Sequence, residues 1–173
     1  MITTLNDYLE SIVPRLYGLP VALENPPGSA FLLAAVGAHA AARFAERVAK
    51  LDLTPPQVGL LNLIAASPGQ SQQAVAQVLG MPPSRLVGLV DALADRGLVE
   101  RRRNRTDRRL HALHVTDAGR KVLGKVMAIG REHDDALCRS LDAAEREELR
   151  ALLSRIAADQ GLRPGIHPGY RSV

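Results

Sequence analysis

The sequence predicts a mainly helical chain carrying one small β-hairpin, and three observations support that prediction. Apolar residues recur with helical period over most of the 173 residues. Helix-start and helix-stop residues separate these stretches. Only one region reads as strand, Leu98-Val99 and then Leu110, Ala112, Leu113 and Val115, and it brackets an arginine-rich tip at Asn104 to Asp107.

Residues 1–28 are broken by Pro14, Pro20, Pro26 and Pro27, with room for a short helix around Leu5 to Leu16. From Ser29 to Leu51 the chain is alanine-rich and reads as one long helix, striped by Leu33, Val36 or Gly37, Ala40, Phe44, Val48 and Leu51. Thr54-Pro55-Pro56 is a helix start, with Thr54 as N-cap and Pro55 at the first helical position. That helix runs through Leu60, Leu61 and Ile64 and stops before Pro68-Gly69. Ser71 caps the next, which carries Val75, Val78 and Leu79 and breaks at Gly80-Met81-Pro82-Pro83. A further helix opens near Ser84. Its Leu86, Leu89, Val90 and Leu93 fall at i, i+3, i+4 and i+7, and Gly97 ends it. Two helices around a glycine turn form a helix-turn-helix, and the hairpin that follows has the position of a wing.

Thr116 caps the next helix, with Asp117 in its first turn and Val122, Val126, Ile129 and Leu137 along it. Asp142 and Glu145 have capping-box spacing for the last helix, faced by Leu149, Leu152, Leu153 and Ile156 and ended by Gly161. The expected organisation is an N-terminal extension (1–28), a winged helix-turn-helix (53–116), flanking dimerisation helices (29–52 and 117–160) and a Pro/Gly-rich tail (161–173). Long apolar terminal helices in so small a protein imply burial against a second copy, hence a homodimer.

Charge narrows the function. Lysine and arginine outnumber the acids by 22 to 18, a net charge of +4. Arg96 to Arg109 alone holds seven arginines and two acids, +5, so the other residues sum to −1. Such a local basic stripe is the footprint of nucleic-acid binding. Aromatics are only 3%, too few for a platform that stacks single-stranded bases. The lone Cys138 excludes an intrachain disulfide and fits a reducing cytosol. The longest apolar run, Ala30 to Ala38, is far short of the roughly 20 residues a bilayer needs, so no membrane partner is expected. His111 and His114 fall on opposite faces of a strand, and no other histidine has ligand spacing, so no metal or other cofactor is expected. No Ser/His/Asp or Cys/His constellation and no phosphate-binding glycine loop occurs, which argues against an enzyme.

The segments L-T-P-P-Q at 53–57, A-V-A-Q-V-L-G at 74–80, L-V-D-A-L-A-D-R-G-L-V-E-R at 89–101, D-R-R at 107–109 and L-H-V-T-D-A-G-R at 113–120 resemble the MarR family of bacterial transcriptional regulators. The resemblance covers about residues 30–158. It implies a triangular homodimer that offers one winged helix per subunit to a palindromic operator in double-stranded DNA. It also implies a cytoplasmic repressor, released by a small phenolic or carboxylate effector bound between the dimerisation helices and the winged helix.

The DNA-binding candidates follow. Ser84 and Arg85 open the recognition helix, about Pro83 to Arg96, where base edges and phosphates are met. Gln72 and Gln73 begin the preceding helix and are placed to bond the DNA backbone. Arg103, Arg105, Asp107, Arg108 and Arg109 belong to the wing, and the resemblance makes Asp107 and Arg109 a pair that orders it. Val87 and Gly88 depart from the family, whose members often carry a hydroxyl and a polar or basic side chain there. That departure leaves open an alternative, a dimeric interaction module or anti-repressor that has lost DNA binding. For the effector, His39, Arg43 and Arg47 are candidates, the two arginines one turn apart and suited to a carboxylate. The family's peroxide-sensing branch keeps its cysteine near the position of Ala30, so Cys138 is expected to be a small structural residue.

Overall fold

The structure, a computed structural model, describes residues 27–103, 111–163 and 165. The helix expected around Leu5 to Leu16, the wing tip and most of the C-terminal tail lie outside the described residues. The described chain forms α1 (Ser29–Ala49), α2 (Pro55–Ala66), α3 (Gln72–Leu79), α4 (Pro83–Asp95), β1 (Val99–Arg103), β2 (His111–Val115), α5 (Asp117–Leu137) and α6 (Ala143–Asp159). It divides into two compact units, Met1–His39 and Ala40–Val173.

In the first unit the opening of α1 is exposed throughout, including Phe31, Leu32, Leu33 and Val36. In the second unit α1 becomes anchored. Val48 is fully buried, and Phe44 and Leu51 pack partly against the same core. The stripe expected along α1 is thus covered only toward its C-terminal end.

The core is built around α2, which packs against α4, α5 and β2. Thr54 caps it within a complete capping box: its hydroxyl accepts from the Gln57 N–H while the Gln57 side chain accepts from the Thr54 N–H at 2.9 Å. Val58, Leu60, Leu61 and Ile64 are buried from this helix, joined by Val75 and Leu79 of α3 and Leu86, Val90 and Leu93 of α4. Because three neighbours surround it, α2 is buried over a broad arc rather than along one stripe.

The turns fix how α3 and α4 cross and how the hairpin leaves them. Gly80 and Gly97 both have positive φ, +66° and +65°, a conformation glycine adopts without a Cβ clash. At the end of α4 the Gly97 N–H donates to the Ala94 carbonyl at 2.8 Å and the Leu98 N–H to the Leu93 carbonyl at 2.9 Å. This paired closure satisfies two otherwise orphaned carbonyls and turns the chain directly into β1. β1 and β2 pair antiparallel with Val99 opposite Val115 and Arg103 opposite His111. The loop before α3 completes the sheet: Gly69 N–H donates to Leu113 O and Leu113 N–H to Gln70 O, each at 2.9 Å, with a bridge from Ser71 to Ala112.

α5 starts hard against this junction. Thr116 caps it by accepting from the Gly119 N–H at 3.0 Å, and the same hydroxyl donates to the Gly97 carbonyl at 2.6 Å. A Cβ added to Gly119 would lie 2.1 Å from the Leu98 carbonyl oxygen and 2.7 Å from Val115 Cγ1, so only glycine permits this approach. Cys138 closes α5, half-buried. Asp142 and Glu145 form the expected capping box at α6, yet α6 buries none of its residues. Leu149, Leu152, Leu153 and Ile156 are exposed. Beyond α6, Arg163 reaches back to donate to the Val78 carbonyl at 3.1 Å.

Two glycine substitutions are expected to move stability in opposite directions. Gly119→Ala forces α5 away from the Leu98 backbone carbonyl and the Val115 side chain and should cost about 1–3 kcal/mol in urea denaturation. Gly88 lies inside α4 with open space around its missing Cβ. Gly88→Ala should therefore stabilise by about 0.5–1 kcal/mol. Unchanged stability in Gly119→Ala, or lost stability in Gly88→Ala, would contradict the packing described at that position.

Candidate nucleic-acid interface

The helical period divides α4 into two faces. Leu86, Val90 and Leu93 are turned into the core. Ser84, Val87 and Gly88 are exposed and Asp91 is half-buried, at i, i+3, i+4 and i+7 on the opposite side. Arg85 is exposed beside Ser84. Pro82 occupies the N-cap position, and no side chain caps the helix start. The expected readers of the recognition helix, Ser84 and Arg85, thus share its outward, N-terminal end.

The arginines of the basic stripe have separate roles. Arg96, at the C-cap of α4, donates to the Asp52 and Leu51 carbonyls, the latter at 2.9 Å. It ties the recognition helix to the turn that follows α1 and is occupied structurally. Strand alternation then separates its neighbours. Arg101 lies on the same face as the buried Val99 and turns toward the helices. There it donates to Asp91 of α4 through Nη2 and to Gln72 Oε1 of α3 through Nε at 3.1 Å. Arg102 lies on the other face, exposed, and its Nε donates to Glu100 Oε1 at 3.0 Å. The backbone of Arg103 closes the described part of β1. Arg105, Asp107, Arg108 and Arg109 lie outside the described residues.

Arg101 is the connection that the sequence reading missed in its detail. It holds the oxygen of Gln72, which leaves the amide N–H donors of that side chain for another acceptor. Gln73, next along α3, is exposed. Asp91 places a carboxylate on the outward face of α4, where unneutralised it would repel a polyanion; the Arg101 guanidinium offsets that charge. The signal was present, since Asp91 follows Ser84 by seven residues and so shares its face, but which arginine answers it depends on strand register.

The effector candidates are placed separately. His39 is exposed in the first unit. In the second, Arg43 is exposed and bonds Glu46 at 2.7 Å. Arg47 is half-buried, 4.0 Å from Glu132. Nearby on the same two helices, the Phe44 and His133 rings lie 5.7 Å apart between centroids.

Comparison with known proteins agrees with this architecture. A profile of the MarR family matches residues 51–110. The chain is 38% identical over 105 residues to a proposed transcriptional regulatory protein for the hcr operon of Thauera aromatica, which covers 60% of this chain and 63% of that protein. It is 30% identical to the transcriptional regulator HosA of Escherichia coli over 61% of this chain and 78% of HosA. Among solved structures it resembles the transcriptional repressor CouR bound to a 23-mer DNA duplex. That similarity has a TM-score of 0.66 and 34% identity, over 75% of this chain and 92% of CouR.

The Arg101–Asp91 pair is expected to couple β1 to α4 measurably. A double-mutant cycle with Arg101→Met and Asp91→Asn, read by urea denaturation, should give a coupling of about 0.5–1 kcal/mol that shrinks in high salt. Additive single-mutant effects would show that the pair contributes nothing.

Proposed function

The chain belongs to the MarR family, and on that premise we propose that it is a homodimeric, sequence-specific DNA-binding transcriptional repressor. The observation that carries this reading is the outward face of α4. A helix seated on a rigid core presents a hydroxyl and a guanidinium at its exposed N-terminal end, and Asp91, the nearer of its two acids, is paired from behind by Arg101. That end is where recognition helices meet base edges and where helix dipoles favour phosphate. The DNA-bound repressor CouR, at 34% identity, supports the same assignment.

In the proposed mechanism α4 enters the major groove. Arg85 bonds base edges, guanine being the base an arginine grips in two places. Gln72 and Gln73 position the module on the backbone, and the arginines at 103, 105, 108 and 109 track phosphates or a narrow minor groove. Two copies set two recognition helices in successive major grooves, which gives a palindrome of about 16–20 bp. The proposed dimer rests on the apolar residues of α6 and of the start of α1, which are exposed among the described residues. In this proposal the winged helix-turn-helix, residues 53–116, binds DNA, and the flanking helices, residues 29–52 and 117–160, dimerise.

Release by a small aromatic or anionic effector completes the proposal. Arg47 holds its own carboxylate, Glu132, only at 4.0 Å beside the Phe44–His133 ring pair. An effector carboxylate competing there, with Arg43 one turn away, would shift the balance between DNA-competent and incompetent spacings of the recognition helices.

Fluorescence anisotropy on the DNA upstream of its own gene tests the reading. Binding should prefer that sequence over a scrambled duplex and weaken steeply with salt. Arg109→Ala should weaken binding to both duplexes alike. Arg85→Ala should also lower the cognate-to-scrambled ratio, by a free energy of about 1–3 kcal/mol. Binding that shows neither sequence preference nor salt dependence would favour the interaction-module alternative.

Sedimentation tests the assembly. The wild type should run as a dimer, and Leu152→Glu with Ile156→Glu should give a folded monomer with unchanged helical content. A monomeric wild type at micromolar concentration would overturn the homodimer.

A further inference from the structure

The outward face of α4 contains one large side chain that cannot make a hydrogen bond. Val87 is 43% exposed, between Ser84 and Asp91 on that face. Beside it, Gly88 leaves bare helix backbone, and a Cβ built there meets nothing within 4 Å. Asp91, one turn further on, is held by Arg101. The middle of the face therefore offers an isopropyl group next to a shallow depression, flanked by the Ser84 hydroxyl and by Asp91, which Arg101 already holds.

In the major groove the base edges present donors, acceptors and one apolar feature, the 5-methyl group of thymine. We propose that Val87 is a specificity-determining residue that packs on a thymine methyl in each half-site, and that Gly88 lets the helix backbone approach closely enough for this contact. The proposal rests on the DNA-binding reading above and adds to it the class of base read at the centre of the helix. It also explains why the helix functions without a hydrogen-bonding side chain at either position. A valine can gain by burying a methyl, whereas a hydrogen-bonding side chain there would need a matched base edge or be left unpaired.

The test separates the two readings. Duplexes are first selected from a random pool by the full-length wild-type protein. Each thymine of the selected half-site is then replaced singly by uracil, which lacks only the methyl, and affinities are measured for wild type and Val87→Ala. One thymine per half-site should bind wild type roughly fourfold more tightly than its uracil counterpart, the worth of one buried methyl. At that position Val87→Ala should show a ratio near one, and at all others the two proteins should agree. Val87→Ala replaces an exposed helical residue by a better helix former, so loss of folding does not confound the ratio. Enrichment of a sequence in which no thymine distinguishes the two proteins overturns the role of Val87 alone. Failure to enrich any sequence overturns the DNA-binding reading and this proposal with it.

Discussion

The contact of Gly119 with the Leu98 carbonyl is the constraint on which the rest of the winged helix depends. Four elements meet there. α4 has ended at Asp95 and the chain has turned at Gly97, β1 is about to begin, β2 has ended at Val115, and α5 starts. The Thr116 hydroxyl bonds the Gly97 carbonyl, and its N–H bonds the Leu98 carbonyl at 3.1 Å. With no side chain on Gly119, these groups approach until backbone meets backbone. A displacement of the first turn of α5 is therefore a displacement of the exit of α4 and of both strands. That mechanical continuity is what a regulator needs if events at its long helices are to reach its recognition helix.

The same junction gives the basic stripe its division of labour. Arg96 bonds two carbonyls in the turn that follows α1, so one end of the stripe holds α4 in place. Arg101 bridges α3 and α4 from behind the recognition face. Arg102 is matched by Glu100 two residues before it. Three of the seven arginines are thus engaged inside the chain. The two ion pairs among them, Arg101–Asp91 and Arg102–Glu100, are partly exposed and contribute only about 0–1 kcal/mol each, so their value is less in stability than in orientation. They fix Gln72, Asp91 and the angle of α4 before any ligand arrives, which lowers the ordering cost of binding.

The remaining helical surface is less covered. α6 is capped by a complete capping box but buries none of its residues, so it forms a well-defined helix whose apolar side is left partly exposed. In the first unit the start of α1 has the same character, with Phe31 66% exposed. A leucine-rich face loses roughly 1.5–3 kcal/mol per large side chain left in water rather than buried. These are the faces that the proposed homodimer would bury.

The sequence by itself determined the elements and their order, because the relevant signals are local. Thr54, Ser71, Thr116 and Asp142 each cap the helix expected of them, since a side-chain oxygen reaches only the N–H groups two or three residues on. The buried face of α4 followed from spacing alone. The tertiary structure decided which charges are occupied. Arg101 and Arg102 are identical in composition and adjacent in sequence, yet strand alternation sends one toward Asp91 and Gln72 and leaves the other at the surface. Likewise Gly88 and Gly119 are both helical glycines, one facing open space and the other a carbonyl 2.1 Å from its absent Cβ. Distances between residues remote along the chain carry that information, and no local pattern encodes them.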